Sequence, residues 1–386
     1  MVSGQGSTLI GAAVKRKEDP RLIIGEGKYT GDVQLSGMTY MAVLRSPHAH
    51  AHIRRIDATR ALQQPGVLAV LTGQEVEQHC QRQFRLAGVR EGMHTKSRWP
   101  MATAVAKYAG EPVAAVLATS SGRAQDVLDM IDVKYESLPA VMDLEKAVEE
   151  GAPLVHEDLG TNLCVEFSGR AGDPDRAFRE ADGVVSARLV QPRLIPNPLE
   201  PRAVVASYER GTGNMTLWLS TQAPHLERSA VVDVLGFPEN KLRVIAVDVG
   251  GGFGCKIDTY PETILAAHLS MQLARPVKWV EDRQEHFLCT SHGRGEVQYV
   301  EAAYLHDGTL SGLRLRYYTD LGAYCNGGSH AVVGMLTPSG ATGVYRVRDV
   351  AWTTYGVYTT PIFVGQNRLT FSTVTPCVFR GYCFFL

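Results

Sequence analysis

Apolar positions along this chain fall into short runs parted by turn residues, with few stretches of helical period. Residues 38–44 (M-T-Y-M-A-V-L), 67–71 and 112–119 (P-V-A-A-V-L-A-T) read as strands. Ser120 or Ser121 can cap a helix over residues 124–131, and a strand follows at 133–135. Beyond residue 156, a short helix at 175–181 leads into a strand at 184–190. Residues 215–219 and 276–281 read as strands, and a helix over 225–235 closes on Gly236. Residues 296–305 and 310–319 alternate around His306-Asp307-Gly308, a hairpin signal. Strands and helices mixed in this way predict an α+β fold.

The stretch around which these elements gather is 244–256, V-I-A-V-D-V-G-G-G-F-G-C-K. It opens as a buried strand and breaks into Gly250, Gly251, Gly252, Phe253 and Gly254. Pro261 then starts a helix ending near Leu273. Glycines tolerate positive φ and carry no Cβ, so backbone N–H groups can converge on an anion, and a helix start adds donors. Neither standard phosphate loop fits. A dinucleotide fingerprint from Gly250 needs glycine at position 255, which is Cys255. A P-loop ending at Lys256 needs glycine there too, and Ser or Thr where Ile257 stands. A tight turn between packed elements, or an unrelated phosphate site, are the alternatives.

Composition narrows the class. Apolar residues make up 45% and charged residues 20% of 386 residues, with a net charge of −1. That is ordinary for a globular protein of two or three domains and leaves no nucleic-acid or membrane-surface footprint. Seven cysteines are scattered without a C-x-x-C, so no zinc knuckle or iron–sulfur cluster is encoded, and a reducing cytoplasm is expected. No signal sequence and no apolar run of bilayer length appear. The last four residues, C-F-F-L, match a prenylation box formally, without the polybasic run that would support anchoring.

Three local patterns carry possible chemistry. In S-P-H-A-H-A-H (46–52), a strand would place His48, His50 and His52 on one face, as a metal site or, with no carboxylate or cysteine near, a strand edge. In N-P-L-E-P-R (197–202), Glu200 and Arg202 read as a structural ion pair beside a turn. Gln222 follows the 215–219 strand, at the carboxyl end where α/β architectures place ligands.

Taken in order along nearly the whole chain, a set of motifs resembles the molybdenum-binding large subunit of the xanthine dehydrogenase, aldehyde oxidase and carbon monoxide dehydrogenase family. They are D-P-R-L-I-I-G-E-G-K-Y-T (19–30), R-S-P-H-A-H (45–50), G-E-P-V-A-A-V (110–116), L-E-P-R-A-V-V-A (199–206), S-T-Q-A-P-H (220–225), D-V-G-G-G-F-G-C-K (248–256) and R-P-V-K-W-V-E-D-R-Q-E-H-F (275–287). The resemblance implies an N-terminal arm over 1–20 and an α/β hammerhead domain over 21–140. A first molybdopterin-binding α+β domain, incomplete at its C-terminus, is implied over 155–386. The implied cofactor is molybdenum-molybdopterin, in its cytosine dinucleotide form as one possibility, with no flavin or iron–sulfur centre in this chain. Cofactor contacts carried over are Gln222, the loop Gly251, Gly252, Phe253 and Gly254, and Arg380 in the F-R-G turn at 379–381. The implied activity is hydroxylation of an aldehyde, an N-heterocycle or a related small molecule with oxygen from water. Implied partners are an FAD-binding medium subunit and a 2Fe-2S small subunit, in a dimer of heterotrimers.

Departures from the family sharpen this reading. Ile257 stands where purine-oxidising members carry Glu. Gly381 stands where carbon monoxide oxidisers carry a copper-binding Cys. The family's base Glu lies beyond Leu386, and the last residues lose the family pattern. A frameshifted or truncated chain without turnover is therefore expected. The alternative is a non-catalytic remnant that binds the flavin and iron–sulfur subunits.

Overall fold

Short β-branched runs cannot bury both faces alone, and here they assemble into three sheets. The computed structural model describes residues 10–360 except 328, 329, 331–339, 341 and 344. In chain order the strands are β1 (Thr39–Arg45), β2 (Ala51–Asp57), β3 (Val67–Thr72), β4 (Val105–Ala106), β5 (Pro112–Ala118), β6 (Asp132–Ser137), β7 (Leu163–Ala171), β8 (Gly183–Leu194), β9 (Ala203–Glu209), β10 (Asn214–Leu219), β11 (Leu242–Ala246), β12 (Val277–Val280), β13 (Gly293–Tyr304), β14 (Leu310–Gly322) and β15 (Asp349–Tyr358).

The main sheet runs β11-β10-β9-β12-β1-β5-β3. It joins early and late parts of the chain, because β1 pairs in parallel with β12 through Thr39↔Val277 and Tyr40↔Lys278. Every residue of β5 is buried, as expected for a continuous apolar run. A second sheet, β7-β15-β14-β13-β8, is built on the expected β13/β14 hairpin, and β4-β2-β6 forms a small third sheet. Helix Pro261–Leu273 is buried from Pro261 through Ser270 and packs on β9 and β12. Its sequence is apolar nearly all round, so no solvent face is available. The proline start and the Gly236 cap of helix Pro224–Leu235 stand as read.

The expected histidine face does not form. Residues 46–50 make a bend in which Ser46 Oγ accepts from the His48 N–H at 3.1 Å, and β2 begins only at Ala51. His50 Nδ1 bonds the Pro139 carbonyl at 3.0 Å, and the His48 ring packs on Tyr135. Among the described residues no three metal-binding side chains come together.

A buried ionic network knits the main sheet to its helices. The Arg202 Nε donates to Glu281 at 3.0 Å, and its Nη1 to Glu262 at 3.2 Å. The guanidinium lies 3.7 Å from the Tyr260 ring centre. Arg45, on β1, reaches Glu262 at 2.8 Å and Glu285 at 2.9 Å. His286 Nδ1 bonds Glu281 at 2.8 Å. Burial opposes ionisation of Glu262 and Glu281, but the arginines outweigh it, with His286 adding at Glu281, and hold both carboxyls below the usual range. The expected Glu200–Arg202 pair is thereby corrected. A bend at residues 199–200 sends Glu200 to the glycine loop, while Arg202 turns into this network.

Two expectations follow. Arg202→Ala leaves buried Glu281 without its arginine and Glu262 with Arg45 alone, and should lower unfolding stability by about 3–5 kcal/mol in urea titrations, against near-neutral change at an exposed arginine. Glu227 is the second case. Burial raises its carboxyl to about 8, with Asp258 adding and a hydrogen bond from Thr259 opposing. A proton held in the fold and released by the unfolded chain near 4.5 gives stability that is complete below that pH. That stability is lost as pH rises through 8. Glu227→Gln stays neutral throughout, so its melting temperature should gain on the wild type steadily from pH 5 to pH 8. A gap that does not change with pH would contradict this.

Candidate cofactor cradle

Two adjacent parallel strands set the site. β10 and β11 pair from Met215↔Leu242 to Leu219↔Ala246, so their carboxyl ends leave the sheet side by side. The connections that follow, residues 220–223 and 247–260, therefore meet where ligands bind in open α/β sheets.

Gln222 closes one end of the glycine loop. Its Oε1 accepts from the Gly254 N–H at 2.8 Å and the Lys256 N–H at 3.3 Å, and its own N–H donates to the Lys256 carbonyl at 2.8 Å. Thr221 Oγ1 donates to the same carbonyl at 3.1 Å. Because two N–H donors claim the amide oxygen, the amide NH₂ must face away from the loop, and Gln222 is exposed on that side.

Glu200 closes the other end. Its Oε2 accepts from the Gly250 N–H at 2.7 Å, from Ser220 Oγ at 2.7 Å and from Lys256 Nζ at 3.1 Å. Lys256 also donates to the Glu200 carbonyl at 2.8 Å. Burial lowers the Lys256 ammonium pKa, and the Glu200 carboxylate works against that shift.

Between these clamps the loop exposes donors. Among the described residues, the N–H groups of Gly251, Gly252 and Phe253 have no acceptor. The glycines serve the clamps as much as any ligand. A Cβ on Gly252 would sit 2.4 Å from Gln222 Cδ, and one on Gly250 would sit 2.5 Å from Glu200 Cβ. Phe253 holds φ 50°, a left-handed conformation unusual for an aromatic residue, and its side chain stays about half exposed. Donor-rich backbone beside a free amide NH₂ and an exposed ring suits an anionic, partly aromatic ligand.

The N-terminal segment docks on the loop's first residues. Both Arg21 Nη atoms reach Asp248 at 2.6 Å, and the Lys28 N–H reaches it at 2.8 Å. The Arg21 hydrogen bonds, then that of Lys28, hold the Asp248 carboxyl well below the usual range.

The structure thus brings Gln222, Gly251, Gly252, Phe253 and Gly254 together, while Arg380 lies outside the described residues. Helix Pro261–Leu273 does not add its N-terminus to the loop. Its first turn, with Tyr260, Glu262 and Thr263, faces a buried cavity beneath. Glu200 and Lys256 together hold the loop's first end, an arrangement that their spacing in the sequence does not reveal. The Lys that ends the glycine run is the sequence signal for this clamp, although its position suggests only a phosphate loop.

Residues 24–139 match the aldehyde oxidase and xanthine dehydrogenase a/b hammerhead domain, and residues 155–373 match the molybdopterin cofactor-binding domain. The chain is 35% identical over 370 residues to the nicotine 6-hydroxylase large subunit of Paenarthrobacter nicotinovorans, covering 93% of this chain and 44% of that relative. It is 34% identical to the carbon monoxide dehydrogenase large chain of Afipia carboxidovorans, covering 96% and 46%. The crystal structure of quinoline 2-oxidoreductase from Pseudomonas putida 86 superposes with a TM-score of 0.88 at 37% identity, over 93% of this chain and 45% of that one. The chain therefore spans under half the length of these relatives. By its two domain matches and these likenesses, the chain belongs to the family of molybdenum-cofactor large subunits that includes xanthine dehydrogenase, aldehyde oxidase and carbon monoxide dehydrogenase.

Proposed function

We propose that this chain supplies one wall of the cofactor site of a molybdenum hydroxylase large subunit acting on an electron-poor N-heteroaromatic ring. The observation that carries the reading is the double clamp on the glycine loop. Gln222 Oε1 is spent on Gly254 and Lys256, which leaves its NH₂ as an outward donor beside three unpaired backbone N–H groups.

These donors would hold the anionic parts of a molybdopterin, in its cytosine dinucleotide form. Held by the fold before the ligand arrives, they lose no rotamer freedom on binding. The Phe253 ring would cover the cofactor's edge and exclude water, and Arg380 would add a cation. When bound, the molybdenum centre supplies two-electron oxidation with oxygen taken from water. The chain's own residues orient it.

Substrate choice rests on three supports. Nicotine 6-hydroxylase and quinoline 2-oxidoreductase, by their names, act on N-heteroaromatics. Ile257 replaces the carboxylate of purine oxidisers, and Gly381 follows Arg380 where a copper ligand would stand. Because the match covers under half of the relatives, turnover is assigned to the assembled enzyme. We assign electron transfer to a 2Fe-2S subunit and an FAD subunit, in a dimer of heterotrimers.

The test is cofactor retention and substrate scope in the assembled enzyme. Wild type should purify with molybdenum and pterin, and should oxidise quinoline or nicotinate far faster than xanthine or carbon monoxide. Gly252→Ala forces Gln222 off the loop, at a stability cost of about 1–3 kcal/mol, and should lose most bound molybdenum by elemental analysis. Full molybdenum retention in that variant would defeat the cradle assignment. Preference for xanthine would defeat the substrate assignment alone.

A further inference from the structure

Beneath the glycine loop lies a cavity of about 20 Å³. Its lining includes Ser220, Glu227, Lys256, Asp258 and Thr263, from the ends of β10 and the loop and from the first turns of helices Pro224–Leu235 and Pro261–Leu273. One water needs roughly 10–15 Å³ and two to four polar partners, so the size and the chemistry both match.

Two groups on this lining keep hydrogen-bonding capacity to spare. Glu227 is 4% exposed, and among the described residues no group hydrogen-bonds its Oε2. The Lys256 side chain is fully buried, and its ammonium gives two hydrogen bonds, both to Glu200. An ammonium has three donors, so one remains. A buried polar atom left without a partner costs about 1–3 kcal/mol, a penalty a bridging water removes. Lys256 and Glu227 form no direct ion pair, although both face the same small space.

We propose that this cavity binds one structural water that accepts from Lys256 Nζ and bonds Glu227 Oε2. The water ties helix Pro224–Leu235 to the glycine loop, because Lys256 is already fixed to Glu200, and Glu200 to Gly250. Ser220 and Thr263 stand by as further partners. Glu227 is on this account a positioning residue for the loop. The inference rests on the cavity and its partners and stands whether or not the loop holds a molybdopterin.

The test is a high-resolution crystal structure of the full chain, alone or with its partner subunits, combined with amide exchange. Density for a water should appear roughly 2.7–3.2 Å from both Lys256 Nζ and Glu227 Oε2. Absence of density, or direct contact between the two side chains, would overturn the proposal. Glu227→Gln keeps an oxygen at this position and should leave exchange of the Gly254 and Lys256 amides within about threefold of wild type. Glu227→Leu removes the water's partner and should speed both by roughly tenfold or more, as a local opening becomes easier. Unchanged exchange in the leucine variant would refute the tie to the loop. Should that variant fail to fold, the wild-type density still decides whether the water is present.

Discussion

The structure depends on the Arg202 side chain. Its guanidinium meets Glu281 at the end of β12 and Glu262 on the helix behind the sheet, while it lies over Tyr260. Arg45 carries the same network into β1, so elements from opposite ends of the chain share one set of buried charges. Such a network adds little net stability over apolar packing, but it makes any other register expensive, because a misplaced strand would strand a buried charge. The parallel β1/β12 contact rests on only two paired positions. The ionic network beside it supplies the specificity that so short a ladder lacks.

Position 200, two residues earlier, extends this constraint into the site. The bend before Arg202 turns Glu200 outward, where it collects the Gly250 N–H, the Ser220 hydroxyl and the Lys256 ammonium. The core anchor and the loop clamp are thus neighbours on one short stretch of chain. Gln222 repeats the arrangement at the other end of the loop. A glycine-rich loop is ordinarily floppy, since glycine loses the most backbone freedom on ordering. Here main-chain bonds from the two clamps and their neighbours fix it at both ends before a ligand arrives.

Much of this was legible in the chain. Strands with β-branched residues, the β13/β14 hairpin, the Pro261 start and the Gly236 cap carry their signals locally, and Gln222 was placed at a strand end by pattern alone. What was not legible depends on distant partners. β7 is absent from the strands expected from the sequence, and it contains Gly169, a residue that weakens a strand pattern. In the fold, Trp352 of β15 lies over that glycine so closely that a Cβ would be 2.3 Å from its ring. The histidine run looked like a strand face because alternation alone cannot show that Ser46 bends the backbone first. Glu200 and Arg202 looked like a pair because spacing does not reveal the bend between their two destinations.

The same distant packing explains why the loop resembles a phosphate loop and yet fits neither pattern. In nucleotide loops the helix start follows directly, and its dipole and free donors are the binding device. Here helix Pro261–Leu273 begins inside the protein, with Glu262 in its first turn answering the positive end of the dipole and Arg45 and Arg202 answering Glu262. The helix start is therefore committed to the core. Only the loop's own donors remain, held by side chains and not by a helix. A site of that kind offers a few directed hydrogen bonds and little net charge. It suits a ligand recognised by the position of its acceptors along an extended, partly flat body better than one recognised by a dense cluster of phosphates.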